Sequence, residues 1–325
     1  MANCTVCGKQ TTKQCGKCSN AWYCRTECQR SDWKNHKKVC KYPFEIKESE
    51  GKGLGLFATR DLQIGDLVVC EDPIIYLSDG IKGVLKSPQT FKHTYENLGV
   101  EERNKILALV GADNDLTACN LVMESCLDSS SRKEDQEWKR ALRIYGRNAI
   151  AVDDSGSALF STISRINHSC SPNVDWSYLE NHRTRKEVRV IRNIKVGEEV
   201  LVDYLAKSES FPLTSDRKEA LRWGWHFECK CSLCSLDHDE NDALRKRVQQ
   251  LHDSVLNCGR REDVEGAANA ALQKCKLLEK CEDLKIHLPK AYKHCRRTKL
   301  YIDKAMYNKK IKRLAMMGGS HILLR

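Results

Sequence analysis

The sequence predicts an α+β protein in which metal-stabilised segments flank a β-rich middle. Three observations predict it. Cysteines and one His recur at short fixed spacings over residues 4 to 40. After Pro43, short apolar runs alternate with glycine turns. A second cysteine cluster, "CKCSLC" at 229 to 234, then precedes a tail with helical patterning.

With 325 residues the chain is long enough for one large domain and one or two smaller ones. A hydrophobic fraction of 41% fits an ordinary globule. No stretch approaches a membrane span, and "MANCTVCGKQ" lacks the apolar core of a signal peptide. The expectation is a cytoplasmic chain with access to the nucleus, without a membrane partner and monomeric. In that reducing compartment 18 Cys point to zinc rather than to disulfides. Two ions on seven thiolates and one His would lower the formal +11 by three, and one ion on four thiolates by two, leaving about +6. That balance argues only weakly for a nucleic-acid partner.

The first segment runs Cys4-x2-Cys7-x7-Cys15-x2-Cys18-x5-Cys24-x3-Cys28-x7-His36-x3-Cys40. Eight ligands make two tetrahedral sites, because pairs two to four residues apart can be aimed at one ion by a turn or a helix start. So short a segment cannot build its own core, and metal binding supplies its folding energy. Its lysines (9, 13, 17, 34, 37 and 38) read as a solvated surface before they read as a nucleic-acid footprint.

Next comes "FEIKESEGKGLGLFATRDLQIGDLVVCEDPIIYL", which reads as strands and hairpins. "LQIGDLVV" at 62 to 69 and "IKVGEEVLV" at 194 to 202 echo each other, a turn glycine leading into an alternating strand. Between them a helical stretch, roughly 92 to 146, places Trp138, Ala141, Leu142 and Tyr145 on one apolar face. The polar "DSSSRKEDQE" before that face reads as a loop, and Cys119 and Cys126 as small buried hydrophobes.

"RINHSCSPNVDW" (165 to 176) sets His168 two residues before Cys170, which leaves metal binding, nucleophilic attack or neither open. A nucleophilic pair would need the imidazole within reach of the thiol and a third group to orient it. "GEEVLVDY" (197 to 204) ends on Tyr204, and Cys229, Cys231 and Cys234 are three ligands short of one. Residues 241 to 325 read as helices, the last of them basic from Lys290 to Arg313, with Cys258, Cys275, Cys281 and Cys295 as packing residues.

The first segment, including "SNAWYCRTECQRSDWKNHKKVC", resembles the MYND zinc finger. "GKGLGLF" (51 to 57), "GSALF" (156 to 160), "RINHSCSPNVDW", "GEEVLVDY" and "CKCSLC" together resemble a SET-domain lysine methyltransferase with its post-SET segment. The whole is similar to the SET and MYND domain-containing family, in the arrangement of arthropod-like members whose finger precedes the "GKGLGLF" strand.

The resemblance implies a knot-like SET domain of small sheets. Its expected boundaries are a finger over 1 to 42, the SET domain over 43 to 206 with a helical insert at about 86 to 147, the post-SET segment over 207 to 240 and a short helical domain over 241 to 325. It implies S-adenosylmethionine and three Zn2+ as cofactors. Cys4, Cys7, Cys24 and Cys28 would hold one ion, Cys15, Cys18, His36 and Cys40 a second, and Cys170 would complete Cys229, Cys231 and Cys234 around a third. Lys52, Gly53, Leu54, Asn167, His168, Tyr204 and Phe227 would line the methyl-donor site, with Tyr204 catalytic. Leu54 stands where some relatives carry a basic residue. Trp225 would wall the substrate channel where the family commonly has a second tyrosine.

The implied activity is transfer of a methyl group to a lysine of a histone or non-histone protein, with a proline-containing peptide docking on the finger. The alternative is a catalytically weak or inactive adaptor in protein-protein interaction and transcriptional regulation.

Overall fold

A computed structural model describes residues 2–13, 15, 21–37, 40, 42–109, 133–152, 156–179, 182–205, 211–235, 239–261 and 263–280. The chain forms two compact units: Met1–Asn167 with Trp176–Val200 and Gly224–His226, and His168–Asp175 with Leu201–Trp223 and Phe227–Arg325. No helix among the described residues is long and apolar enough to cross a membrane.

The first unit begins with a two-stranded ladder, β1 (Ala2–Asn3) against β2 (Gln10–Thr11), followed by α1 (Thr26–His36). Its core is Cys4, Cys15, Ala21, Tyr23, Cys28 and Cys40. So little apolar carbon is buried there that the cysteines must be held by something other than packing.

After it come β3 (Phe44–Ser49) and β4 (Gly53–Ala58), antiparallel from Phe44↔Ala58 to Ser49↔Gly53. The connection turns sharply because Gly51 and Gly53 take φ of +69° and +78°, the left-handed region that costs a side chain. β5 (Leu67–Glu71), β6 (Ile75–Leu77), α2 (Gly80–Lys86), α3 (Pro88–Glu96), α4 (Val100–Leu107) and α5 (Lys133–Asn148) follow.

The remaining strands are β7 (Ile150–Ala151), β8 (Ser157–Leu159), β9 (Asn167–His168), β10 (Val174–Leu179), β11 (His182–Val190) and β12 (Glu199–Val202). They assemble as small sheets: β6-β8-β7, β10-β11-β5, and β12 paired with β4 through Glu199↔Phe57 and Val200↔Leu56.

The echo between residues 62 to 69 and 194 to 202 is physical. Gly65 and Gly197 both take positive φ, +92° and +85°. Each turn is closed by an acid reaching back three residues: Gln63 N–H donates to Asp66 Oδ2 (3.0 Å) and Lys195 N–H to Glu198 Oε2 (2.8 Å). Leu62 and Ile194 then exchange both backbone hydrogen bonds, at 2.8 and 3.0 Å. Two similar corners are joined back to back.

The insert packs its apolar face onto β6 and β8. Trp138, Ala141, Leu142 and Tyr145 are buried with Phe91, Tyr95 and Ile106. The polar segment before that face differs from the expected loop, since Lys133 to Glu137 form the first turn and more of α5. Lys, Glu and Gln are good helix formers, and Tyr95 Oη donates to Glu137 Oε1 at 2.9 Å, tying that turn down. Residues 128 to 132, Cys119 and Cys126 lie outside the described residues.

In the second unit, α6 (Thr214–Trp225) lies within it up to Trp223, and α7 (Ser232–Ser235) precedes α8 (Asp239–Arg260) and α9 (Val264–Lys280). Val248, Leu251 and Val255 of α8 bury against Ala271, Cys275 and Leu278 of α9, with Phe211 beside them. Asp242 accepts from the backbone N–H and Oγ1 of Thr214, each at 3.0 Å to Oδ1, and so anchors the start of α6. The basic run after Pro289, with Cys281 and Cys295, lies outside the described residues.

Candidate active site and metal centres

In the first unit the turn before β2 carries Cys4 and Cys7, and the start of α1 carries Cys24 and Cys28. Their ligand atoms all lie within 4.8 Å of one another. The sulfurs of Cys7 and Cys24, Cys24 and Cys28, and Cys28 and Cys7 are 3.4, 3.6 and 3.9 Å apart. A tetrahedron with Zn–S near 2.3 Å has edges of about 3.8 Å, so the set fits a zinc ion. Backbone N–H groups of Cys24 and Cys7 point at Cys4 and pull its thiol down to about 6.

A second set joins Cys15, His36 and Cys40, with 3.7 Å between the two sulfurs. Cys18 lies outside the described residues. His36 is braced by Tyr23 and Trp33, ring centroids 5.7 and 5.9 Å away, and Tyr23 Oη donates to Asp32 at 2.6 Å.

In the second unit Cys170, Cys229, Cys231 and Cys234 converge. Cys170 Sγ is 3.9 Å from Cys229 Sγ and 3.5 Å from Cys234 Sγ. The turn into α7 supplies the spacing, with the N–H groups of Cys234 and Ser235 both donating to Cys231 O at 2.9 and 3.0 Å. Four cysteines around one point leave no open position, which marks a structural rather than a hydrolytic centre.

Four thiolates around a dication carry a net charge of about −2, and a buried arginine offsets part of it. Arg217 of α6 is 2% exposed, with Nη2 3.9 Å from Cys234 Sγ. Its other donors go to Thr214 Oγ1 (3.0 Å) and Pro212 O (2.9 Å), while Nε is buried without a hydrogen-bond partner.

His168 is buried beside this cluster. Its Nδ1 accepts the backbone N–H of Tyr204 at 3.1 Å, which leaves the ring proton on Nε2. Nε2 stands 3.3 Å from Cys170 Sγ, so the imidazole donates toward the sulfur. The pair has the distance of a nucleophilic couple, but Cys170 is 3% exposed and surrounded by three further thiols. It is a ligand geometry with the His as its hydrogen-bond donor.

The ring of His168 also packs against Tyr204 (centroids 5.2 Å) and Phe227 (5.8 Å). Asp203, next to Tyr204, has its carboxyl pushed up to about 6 by burial, partly offset by the Leu205 N–H and by Arg245 and Arg217.

The first unit gathers a second group of expected residues. Lys52 sits in the β3–β4 turn, Gly53 and Leu54 open β4, and Asn167 follows the 3-10 turn Ile163–Arg165. Glu71 caps that turn, accepting the N–H groups of Thr162 and Ile163 at 2.8 and 2.7 Å, and burial raises its carboxyl above the usual range.

Glu199 draws these residues together. Its Oε2 takes Lys52 Nζ at 2.8 Å and its Oε1 takes Asn167 Nδ2 at 2.7 Å, while Nδ2 also donates to Leu54 O at 3.2 Å. Gly55 makes room: a Cβ there would stand 2.5 Å from Glu199 Oε1 and 2.9 Å from Asn167 Nδ2. A cation, a carboxamide and open glycine backbone are what a zwitterionic amino-acid tail can use, so this group fits the amino-acid end of S-adenosylmethionine.

Lys52, expected to meet a cofactor carboxylate, is engaged with Glu199. Trp225, half-buried at the end of α6, is assigned to this unit, where Arg147 Nη2 donates to its carbonyl at 3.4 Å.

Residue reasoning on the sequence did not single out Glu199, Gly55, Arg217 or Asp203. Glu199 and Asp203 stood inside "GEEVLVDY", where an acid two residues past a turn glycine was the available signal for Glu199. Arg217, one basic residue in the polar "TSDRKEALRWGW", offered none.

Against known proteins, the MYND finger profile matches residues 4–40 and the SET domain profile residues 53–205. N-lysine methyltransferase SMYD2 of Gallus gallus is 26% identical over 253 residues, covering 75% of this chain and 52% of that protein. SMYD2-A of Danio rerio is 29% identical over 257 residues, covering 76% and 52%. Histone-lysine N-methyltransferase ASHR1 of Arabidopsis thaliana is 26% identical over 302 residues, covering 87% and 57%. The chain thus spans about half the length of the curated relatives it matches. With its finger, its SET strands and its cysteine clusters in this order, the chain belongs to the SET and MYND domain-containing proteins.

Proposed function

We propose that the chain is a zinc-containing protein-lysine N-methyltransferase that uses S-adenosylmethionine. The observation that carries the proposal is the packing of Tyr204 and Phe227 around the His168 imidazole, with Tyr204's own backbone held by that ring. The names of the relatives support the reaction class. The donor, when bound, supplies a sulfonium with an activated methyl group.

The protein's share of the chemistry is to present a neutral amine. A free lysine titrates near 10.4, so deprotonation at pH 7.4 costs about 4 kcal/mol, and an apolar channel that disfavours the ammonium lowers that cost. Alignment of the amine with the methyl group supplies the rest, and no acidic nucleophile is needed. In this reading Tyr204 sets the amine, its backbone tied to a buried imidazole. Lys52, Gly53, Leu54 and Asn167 bind the donor's amino-acid end, His168 contacts the donor through its backbone, Phe227 stacks on the adenine and Trp225 walls the channel.

The three cysteine-rich sets hold structural zinc. The cluster of Cys170, Cys229, Cys231 and Cys234 staples Phe227 to the segment that begins at His168. The substrate is a lysine of a histone or non-histone protein, and the finger docks a proline-containing peptide.

Labelled-methyl transfer into a proteome extract tests the proposal: incorporation by the wild type and its loss in Tyr204→Phe support it, and no incorporation by the zinc-loaded wild type refutes it. Trp225 favours a second reading, an adaptor with residual or no transferase activity, since indole brings no hydroxyl to the channel. Donor binding without any transfer distinguishes that reading.

A further inference from the structure

We infer that Glu199 is a positioning residue for the amino-acid tail of the methyl donor, orienting the Asn167 carboxamide and holding Lys52 beside it. This rests on the methyl-donor reading above and adds to it the residue that arranges the two others.

The geometry is specific about the carboxamide. Two acceptors face one end of the Asn167 side chain, Glu199 Oε1 at 2.7 Å and Leu54 O at 3.2 Å. Both hydrogens of Nδ2 are therefore spent, and the opposite flip would set Oδ1 against a carboxylate and a carbonyl. Asn167 is left to offer Oδ1, an acceptor. An α-ammonium needs an acceptor, and an α-carboxylate needs a cation. The second oxygen of Glu199 holds that cation, Lys52 Nζ, at 2.8 Å, with 43% of the lysine side chain exposed and only 12% of the glutamate.

One largely shielded carboxylate thus orders an acceptor oxygen and an accessible ammonium at the same place, which is the pattern a zwitterion reads. Gly55 is part of the device, since a Cβ there would force the Glu199 carboxylate or the Asn167 carboxamide to shift. The residues come from distant parts of the chain, with 147 positions between Lys52 and Glu199.

The test compares two ligands that differ only in the tail: S-adenosylhomocysteine, which has it, and 5′-methylthioadenosine, which lacks the ammonium and the carboxylate. Both are titrated calorimetrically into the zinc-loaded full chain as wild type, Glu199→Ala and Glu199→Gln. Glu199→Ala is expected to weaken S-adenosylhomocysteine about tenfold while leaving methylthioadenosine within about twofold. Glu199→Gln, which keeps an acceptor for Asn167, is expected to recover much of the loss.

Equal losses for both ligands in Glu199→Ala, no loss for either, or no recovery in Glu199→Gln overturn the inference. Should Glu199→Ala not fold, Gly55→Ala carries the same expectation, because it displaces the carboxylate without removing it. A wild type that binds neither ligand refutes the methyl-donor reading itself, a result separable from tail-independent losses in the variants.

Discussion

The imidazole Nε2 of His168 lies 3.3 Å from the sulfur of Cys170, two residues along the chain. Because Nδ1 is already occupied by the Tyr204 N–H, the ring acts as a rigid spacer between a proposed metal ligand and the residue proposed to set the amine. Replacing such an outer partner of a metal site commonly costs tenfold to a hundredfold in metal affinity. His168→Phe keeps the ring volume and removes both hydrogen bonds. One of three zinc ions should then be lost to a chelator about tenfold faster than in the wild type, read by a colorimetric zinc assay; unchanged release would rule out the N–H···S contact.

Arg217 makes a similar prediction by charge rather than by a neutral donor. Arg217→Leu leaves the thiolate cluster without the buried cation beside it and should destabilise the fold by about 3 kcal/mol, the range for breaking a buried charge pair. Arg217→Lys should restore part of that, since it returns the charge without the fork that also reaches Pro212 O and Thr214 Oγ1. Denaturant unfolding of both variants with zinc present decides it. Equal destabilisation by Leu and Lys would mean that the hydrogen bonds, not the charge, matter.

Asp203 gives a pH dependence of known sign. Its folded-state pKa of about 6 lies above the ordinary 3.8, so the native state binds the proton more tightly than the unfolded chain. The associated stability is complete below pH 3.8 and is lost as pH rises through about 6, to the order of 2 to 3 kcal/mol. Asp203→Asn abolishes that loss. Relative to wild type, the variant should gain stability between about pH 4 and pH 6 and keep a constant advantage above that window in chemical denaturation, and a difference that is pH-independent from pH 4 to pH 6 would contradict the assignment.

Gly197 offers a clean backbone test. It holds φ at +85°, and a Cβ there would meet nothing within 4 Å. Gly197→Ala therefore adds only conformational strain, of about 1 to 2 kcal/mol. A matching drop in unfolding free energy, with zinc content unchanged, is the expected result.

Part of this was legible in the sequence because the signals are periodic or closely spaced. The face Trp138, Ala141, Leu142 and Tyr145 repeats at the helical period and buries as one stripe. Cys229, Cys231 and Cys234 are near enough in the chain to read as ligands, and Gly65 and Gly197 mark their turns unaided. The helix start at Lys133 was missed because polar composition alone does not separate a loop from a solvated first turn, and the bond from Tyr95 to Glu137 that settles it spans 42 positions.

By itself, then, the sequence determined the small vocabulary of the protein: clustered cysteines that demand a metal, glycine corners, and an insert with one apolar side. These follow from local geometry, since three or four neighbouring residues suffice to express them. Only the tertiary structure decided that Glu199 serves Lys52 and Asn167, that Arg217 faces the thiols, and that Leu62 joins Ile194. Those pairings depend on which surfaces meet once the chain has closed loops of up to 147 residues, and no local preference encodes such a meeting.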